Sequence, residues 1–141
     1  MRLFILIALV FLSACRQDES PRIEIHDAWA RPTPAGNAPA VAYLTISNEG
    51  AADRLVSVAS DRATATLHLS RVHNGIMEMR PLPDGLAVPG HGTVELAPNG
   101  AHVMLAQAGP LRVGDHFDLV LTFEKSGKRT VPVTVAAAGS R

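Results

Sequence analysis

Turn-forming residues interrupt this chain too often for helices of ordinary length. Asn48-Glu49-Gly50, Asn74-Gly75, Pro83-Asp84-Gly85, Pro89-Gly90, Pro98-Asn99-Gly100 and Gly109-Pro110 leave only short runs between them, and the runs alternate apolar with polar residues as strands do. Strands are expected at 23–29, 40–47, 55–59, 65–69, 76–79, 93–96, 102–106, 117–124 and 130–136. The plainest period of two is Phe117, Leu119, Leu121, Phe123, answered beyond Lys125-Ser126-Gly127-Lys128 by Val131, Val133 and Val135, which reads as a closing hairpin. Pro132 cannot donate to a ladder, so its strand is expected at an edge or with its N–H side free. So many short strands suit an all-β sandwich of two sheets with Greek-key connections.

At 141 residues the chain has room for one ordinary domain. Its 13 Lys and Arg balance 13 Asp and Glu and gather into no patch, which removes the long-range attraction that carries binding to nucleic acid. A single Cys excludes a disulfide framework. The apolar run at 3–12 follows Met1-Arg2 directly. It is far shorter than the ~20 residues a membrane-spanning helix needs, and it fits the apolar segment of a secretory signal. It ends in Leu12-Ser13-Ala14-Cys15, which resembles the bacterial lipobox. That resemblance implies a signal peptide at 1–14, a lipid-bearing Cys15 at the head of a polar tether over 15–21, and a folded domain over 22–138. The protein is then expected in the periplasm, held to a membrane by its lipid.

The chemistry-bearing residues cluster. Apart from the initiator, every Met (Met77, Met79, Met104) falls in the stretch bounded by His68 and Met104, which also holds His102. Residues two apart on a strand share a face, so His102-Val103-Met104 turns an imidazole and a thioether to one side. Met77-Glu78-Met79 repeats that geometry with two thioethers. In Thr66-Leu67-His68-Leu69 the leucines take the apolar face and leave His68 on the other. If these strands are neighbours, two imidazoles and two thioethers converge. Soft thioether sulfur beside imidazole suits Cu(I), whereas it adds little for zinc and nothing for calcium or magnesium. Each His must be neutral to ligate, so such a site weakens on acidification. Taken alone, Met77 and Met79 would be read as core filler, the commoner role of Met at strand spacing.

The residues resemble the periplasmic copper chaperones of the PCuAC family, whose signature is a His, ten residues, a Met, twenty-one residues, then His-x-Met. Here His68 is followed by ten residues and Met79, then by twenty-two and His102-Val103-Met104. The extra residue is expected in the turn Pro81-Leu82-Pro83-Asp84-Gly85. Asp27-Ala28-Trp29-Ala30-Arg31, Ala42-Tyr43-Leu44-Thr45, Gly75-Ile76-Met77-Glu78-Met79-Arg80-Pro81 and Leu121-Thr122-Phe123-Glu124-Lys125 are also similar to family text. The Met often found after the first His is replaced by Leu69. The resemblance implies a cupredoxin-like sandwich with His68, Met79, His102 and Met104 as copper ligands. Met77 is a further thioether beside them, and His73 a further imidazole on the loop before Asn74-Gly75. It also implies a carrier that passes Cu(I) to the CuA centre of cytochrome c oxidase or another respiratory copper site, with the receiving oxidase subunit and another copper chaperone as partners.

Other functions fit less well. A blue-copper electron carrier needs a Cys thiolate beside two His, and Cys15 is committed to the anchor. A zinc hydrolase is not expected, because neither His-Glu-x-x-His nor Gly-x-Ser-x-Gly occurs. The remaining alternative is a lipid-anchored sandwich that binds a protein partner and no metal.

Overall fold

A computed structural model of the chain describes residues 19–137, 139 and 140. The apolar run at 3–12 and Cys15 lie outside the described residues. Among the described residues the architecture is all-β, a cupredoxin-like sandwich, with ten strands: β1 (Ile23–Ala30), β2 (Ala40–Asn48), β3 (Asp53–Ser60), β4 (Thr64–His73), β5 (Ile76–Pro81), β6 (Leu86–Val88), β7 (Gly92–Leu96), β8 (Ala101–Ala106), β9 (His116–Phe123) and β10 (Gly127–Val135). The short β6 was not expected from the sequence. It has three residues and, among the described residues, pairs only with β3. At the turn before it Gly85 has φ +75°, and a Cβ there would meet the Leu55 carbonyl, so this crossing admits glycine alone.

The strands follow the order β5-β4-β8-β2-β1-β10-β9-β3-β6, with β7 pairing β2 beyond the end of β8. The ladder folds into two layers because β3, far from β4 in that order, packs against it. Between the layers lie Leu44, Ile46, Leu55, Leu67, Val103, Leu105, Leu119, Leu121, Phe123 and Val133, all buried. Ala30, Ala40 and Ala42 are also fully buried, and their small side chains let the layers approach closely.

The hairpin of β9 and β10 follows the alternation of its sequence: Phe117, Leu119, Leu121 and Phe123 are buried, as are Val131, Val133 and Val135. β10 is not an edge strand, since it lies between β9 and β1. Its parallel ladder to β1 begins only at Thr134, so the missing N–H of Pro132 interrupts no bond on that side.

Two polar clusters tie the strand ends together. The buried Asn48 accepts from the N–H groups of Arg22 and Gly50 and donates to the carbonyls of Ala51 and Pro89. The buried Asp53 carboxylate accepts from the N–H groups of Arg54, Lys125 and Ser126 and from the Ser126 hydroxyl. The chain before β1 is fastened as well, by Glu19 at 2.9 Å from the His91 ring and 3.7 Å from the Arg22 guanidinium.

Candidate metal centre

β5, β4 and β8 are adjacent, in that order, at one end of the ladder. The register decides which side chains share a face. His68 stands opposite His102 on β8 and opposite Pro81 on β5. Met104 is opposite Thr66, Met79 opposite Ser70 and Met77 opposite Val72. Thr66, His68, Ser70 and Val72 alternate along β4, so all these partners lie on one side of the sheet. Leu67 and Leu69 turn the other way, toward the core.

His68, His102, Met104, Met79 and Met77 are thus placed on one face by three strands. The two imidazoles have ring centroids 6.0 Å apart and planes 18° from parallel. His73 is not on this face. It closes β4 as a strand residue rather than standing on a loop, pairs with Ile76, and falls out of step with His68 along the strand. Its Nδ1 is 3.8 Å from Glu78 Oε1, both side chains being exposed. The turn that follows is the two-residue link Asn74-Gly75, with φ values of 51° and 77°, the left-handed pair that a tight hairpin requires.

His102 is only 3% exposed. Its Nδ1 is 3.1 Å from the carbonyl oxygen of Gly100. A carbonyl can only accept, so this bond puts the proton on Nδ1 and leaves Nε2 with a free lone pair. That Nε2 is buried and has no hydrogen-bond partner among the described residues. A buried acceptor without a partner costs about 1–3 kcal/mol, and a metal ion that accepts this lone pair removes that cost. The arrangement of a ligating ring held by a backbone carbonyl through its other nitrogen is the usual support of a metal-bound imidazole. The Gly100 carbonyl also accepts from the N–H of Ser70 at 3.0 Å, so the turn before β8 is locked to β4 beside the imidazole pair.

Burial is graded across the face. His102 is at the covered end, Met104 is half-buried, and Met79 is 48% exposed. The core-filler role considered for Met77 and Met79 does not hold, because β5 is exposed along its whole length. Among the described residues no three His, Cys, Asp or Glu side chains gather, and the sulfur atoms that share this face with the imidazole pair are the thioethers of Met77, Met79 and Met104. The set is neutral and soft, which matches a monovalent soft cation and offers little to a hard divalent one.

Sequence reasoning did not find the aromatic cluster on the same side of the sheet. Trp29 and Tyr43 pair across β1 and β2 with centroids 4.9 Å apart, and the Arg31 guanidinium lies 5.5 Å over the Tyr43 ring. Burial pushes the Tyr43 phenol upward against the opposing influence of Arg31. Val41, two residues before Tyr43, faces Met104 across β2 and β8, so the cluster is continuous with the site. The tight text Asp27-Ala28-Trp29-Ala30-Arg31 was the available signal.

Comparison with known proteins supplies the context. Residues 23–135 match the model of the family described as "Putative lipoprotein LpqE-like". "Putative lipoprotein Lxx21020" of Leifsonia xyli subsp. xyli (strain CTCB07) is 28% identical over 116 residues, which span 80% of this chain and 69% of that protein. Among solved structures, the copper-bound PCuAC domain from PmoF2 superposes with a TM-score of 0.66 at 29% identity, over 82% of this chain and 92% of that one. The CuI form of DR1885 from Deinococcus radiodurans gives 0.65 at 27% identity, over 82% of this chain and 78% of that one.

Proposed function

The chain belongs to the LpqE-like family of PCuAC domains, and from that premise we propose that it is a copper chaperone that binds Cu(I) through His68, His102, Met79 and Met104. The observation that carries this reading is the buried, partnerless Nε2 of His102, held in its metal-ready tautomer by the Gly100 carbonyl and stacked on His68. The copper-bound relatives support the identity of the ion.

The chemistry follows from a ligand set without charge. Imidazole nitrogen and thioether sulfur bind the monovalent ion by softness alone, and the complex keeps the single positive charge of the metal. No thiolate has to be protonated for the ion to leave. His102 supplies a fixed deep donor and Met79 an exposed one, so the ion can be approached and released from the β5 side. Such a protein acts as a carrier rather than an enzyme. It works outside the cytoplasm, anchored through lipid on Cys15, with 1–14 as its signal peptide; the relative that bears a lipoprotein name supports this part. Its copper goes to the CuA centre of cytochrome c oxidase or another respiratory copper site, handed to the receiving subunit, and another copper chaperone is a partner in loading.

The test is X-ray absorption on protein loaded with one equivalent of Cu(I) under reductant. A shell of nitrogen together with a shell of sulfur scatterers is expected in the full chain. With one Cys in the sequence, Cys15→Ser separates thioether from thiolate sulfur and should leave the spectrum unchanged. A shell of nitrogen and oxygen alone contradicts the reading.

A further inference from the structure

The ladder between β4 and β8 ends at Leu69 and Ala101, and the N–H of Ser70 makes the last bond across it, to Gly100. β4 nevertheless runs on to His73, paired beyond that point only with β5. The stretch from Arg71 to Glu78 is therefore a two-stranded ribbon that projects past the sheet. On its outer end Val72 is 65% and Met77 51% exposed, and they face each other across the ribbon on the same side as His68 and Met79. An isolated two-stranded ribbon is marginally stable by itself, and exposed apolar side chains on it bury nothing that would explain them.

Met77 lies one strand repeat from Met79 on the same face, about 7 Å farther along the ribbon. It stands at the open end of the gradient that starts at His102. We propose that Met77 is the transfer ligand of this site, a thioether outside the resting set that takes Cu(I) over from Met79 as the ion leaves for an acceptor protein. The step is a ligand exchange: the bond from copper to the Met79 sulfur breaks as the bond to the Met77 sulfur forms. The metal stays Cu(I), and no proton or electron moves. Both sulfurs are neutral, so the exchange needs no separation of charge, and the projecting ribbon is the part of this face that an acceptor of protein size meets first. The inference rests on the copper-chaperone reading and adds to it the direction in which the ion departs.

The test is copper exchange between a loaded full chain and an apo copy of the same chain distinguished by nitrogen-15 labelling, with the copper content of each followed by native mass spectrometry under reductant. Met77→Leu keeps the volume of the side chain and removes the sulfur. Its equilibrium Cu(I) affinity should stay within about twofold of the unmodified chain, while its rate of donation falls about fivefold or more, since the change lies in the kinetics of release. Met79→Leu, in contrast, should lose affinity about tenfold or more. An unchanged rate for Met77→Leu overturns the relay, and so does a loss of affinity equal to that of Met79→Leu, which would make Met77 a resting ligand. If the unmodified chain takes up no stoichiometric Cu(I), the underlying chaperone reading fails, and the relay with it.

Discussion

His68 and His102 oppose each other across β4 and β8, their rings stacked at 6.0 Å although 34 positions separate them in the chain. Only a register fixed over several residues brings such rings face to face, and the alternation of Leu67 and Leu69 into the core fixes it here. A slip of one residue would put His68 inside and a leucine at the site.

The tautomer of His102 is open to direct observation. In the apo protein the Gly100 carbonyl demands a proton on Nδ1. Two-bond proton–nitrogen correlation spectra should show His102 with Nδ1 protonated and Nε2 bare. A spectrum with the proton on Nε2 would remove the main physical ground for a metal site at this ring.

Asn48 uses both of its amide atoms twice, on the backbone of four different residues. Truncation removes the partner of the buried Gly50 N–H and of the backbone groups of Arg22, Ala51 and Pro89, so Asn48→Ala should lower unfolding free energy by about 1–3 kcal/mol in urea titration. Asn48→Asp should also destabilise, because the two bonds donated to Ala51 and Pro89 are lost. Wild-type stability in both variants would show that the cluster is not fastening the start of β1.

Asp53 makes stability depend on acid. Burial pushes its carboxyl upward, but the Ser126 hydroxyl and the N–H groups of Lys125, Arg54 and Ser126 outweigh that and hold it below the usual carboxylate range. A depressed folded value means the contribution is complete above the ordinary carboxylate pKa and disappears as pH falls through the depressed value. Asp53→Asn should cost about 1–3 kcal/mol near neutral pH. The gap between variant and wild type should close in strong acid, as read by unfolding titrations across pH. A gap that persists unchanged at the lowest pH would contradict this assignment.

Much of the fold was legible because one rule governs most of it. The closing hairpin could be read from Phe117, Leu119, Leu121 and Phe123 against Val131, Val133 and Val135, since burial on one face imposes a period of two. β6 was not legible, as three residues are too few to show a period. The position of Pro132 was half legible: its missing N–H demanded a gap in the ladder, but only the ladder order shows that β1 starts pairing beyond it. At the candidate site, the shared face of His102 and Met104 followed from spacing. The separation of His73 from His68 also follows from strand parity, once β4 is seen to continue to the turn. The burial of His102 and its bond to Gly100 depend on how β8 meets the turn before it, and nothing local in the sequence encodes that.

His91 provides the internal control for the metal site, because it is an exposed imidazole held by Glu19, in the turn between β6 and β7 and outside the three strands of the site. The most direct measurement is Cu(I) affinity by competition with a chromophoric Cu(I) chelator under reductant, for the full chain and for Met79→Ala, His102→Ala and His91→Ala. The unmodified chain should bind one equivalent, Met79→Ala and His102→Ala should lose about tenfold or more in affinity, and His91→Ala should be unchanged. Equal affinity in all four proteins would contradict the proposed site.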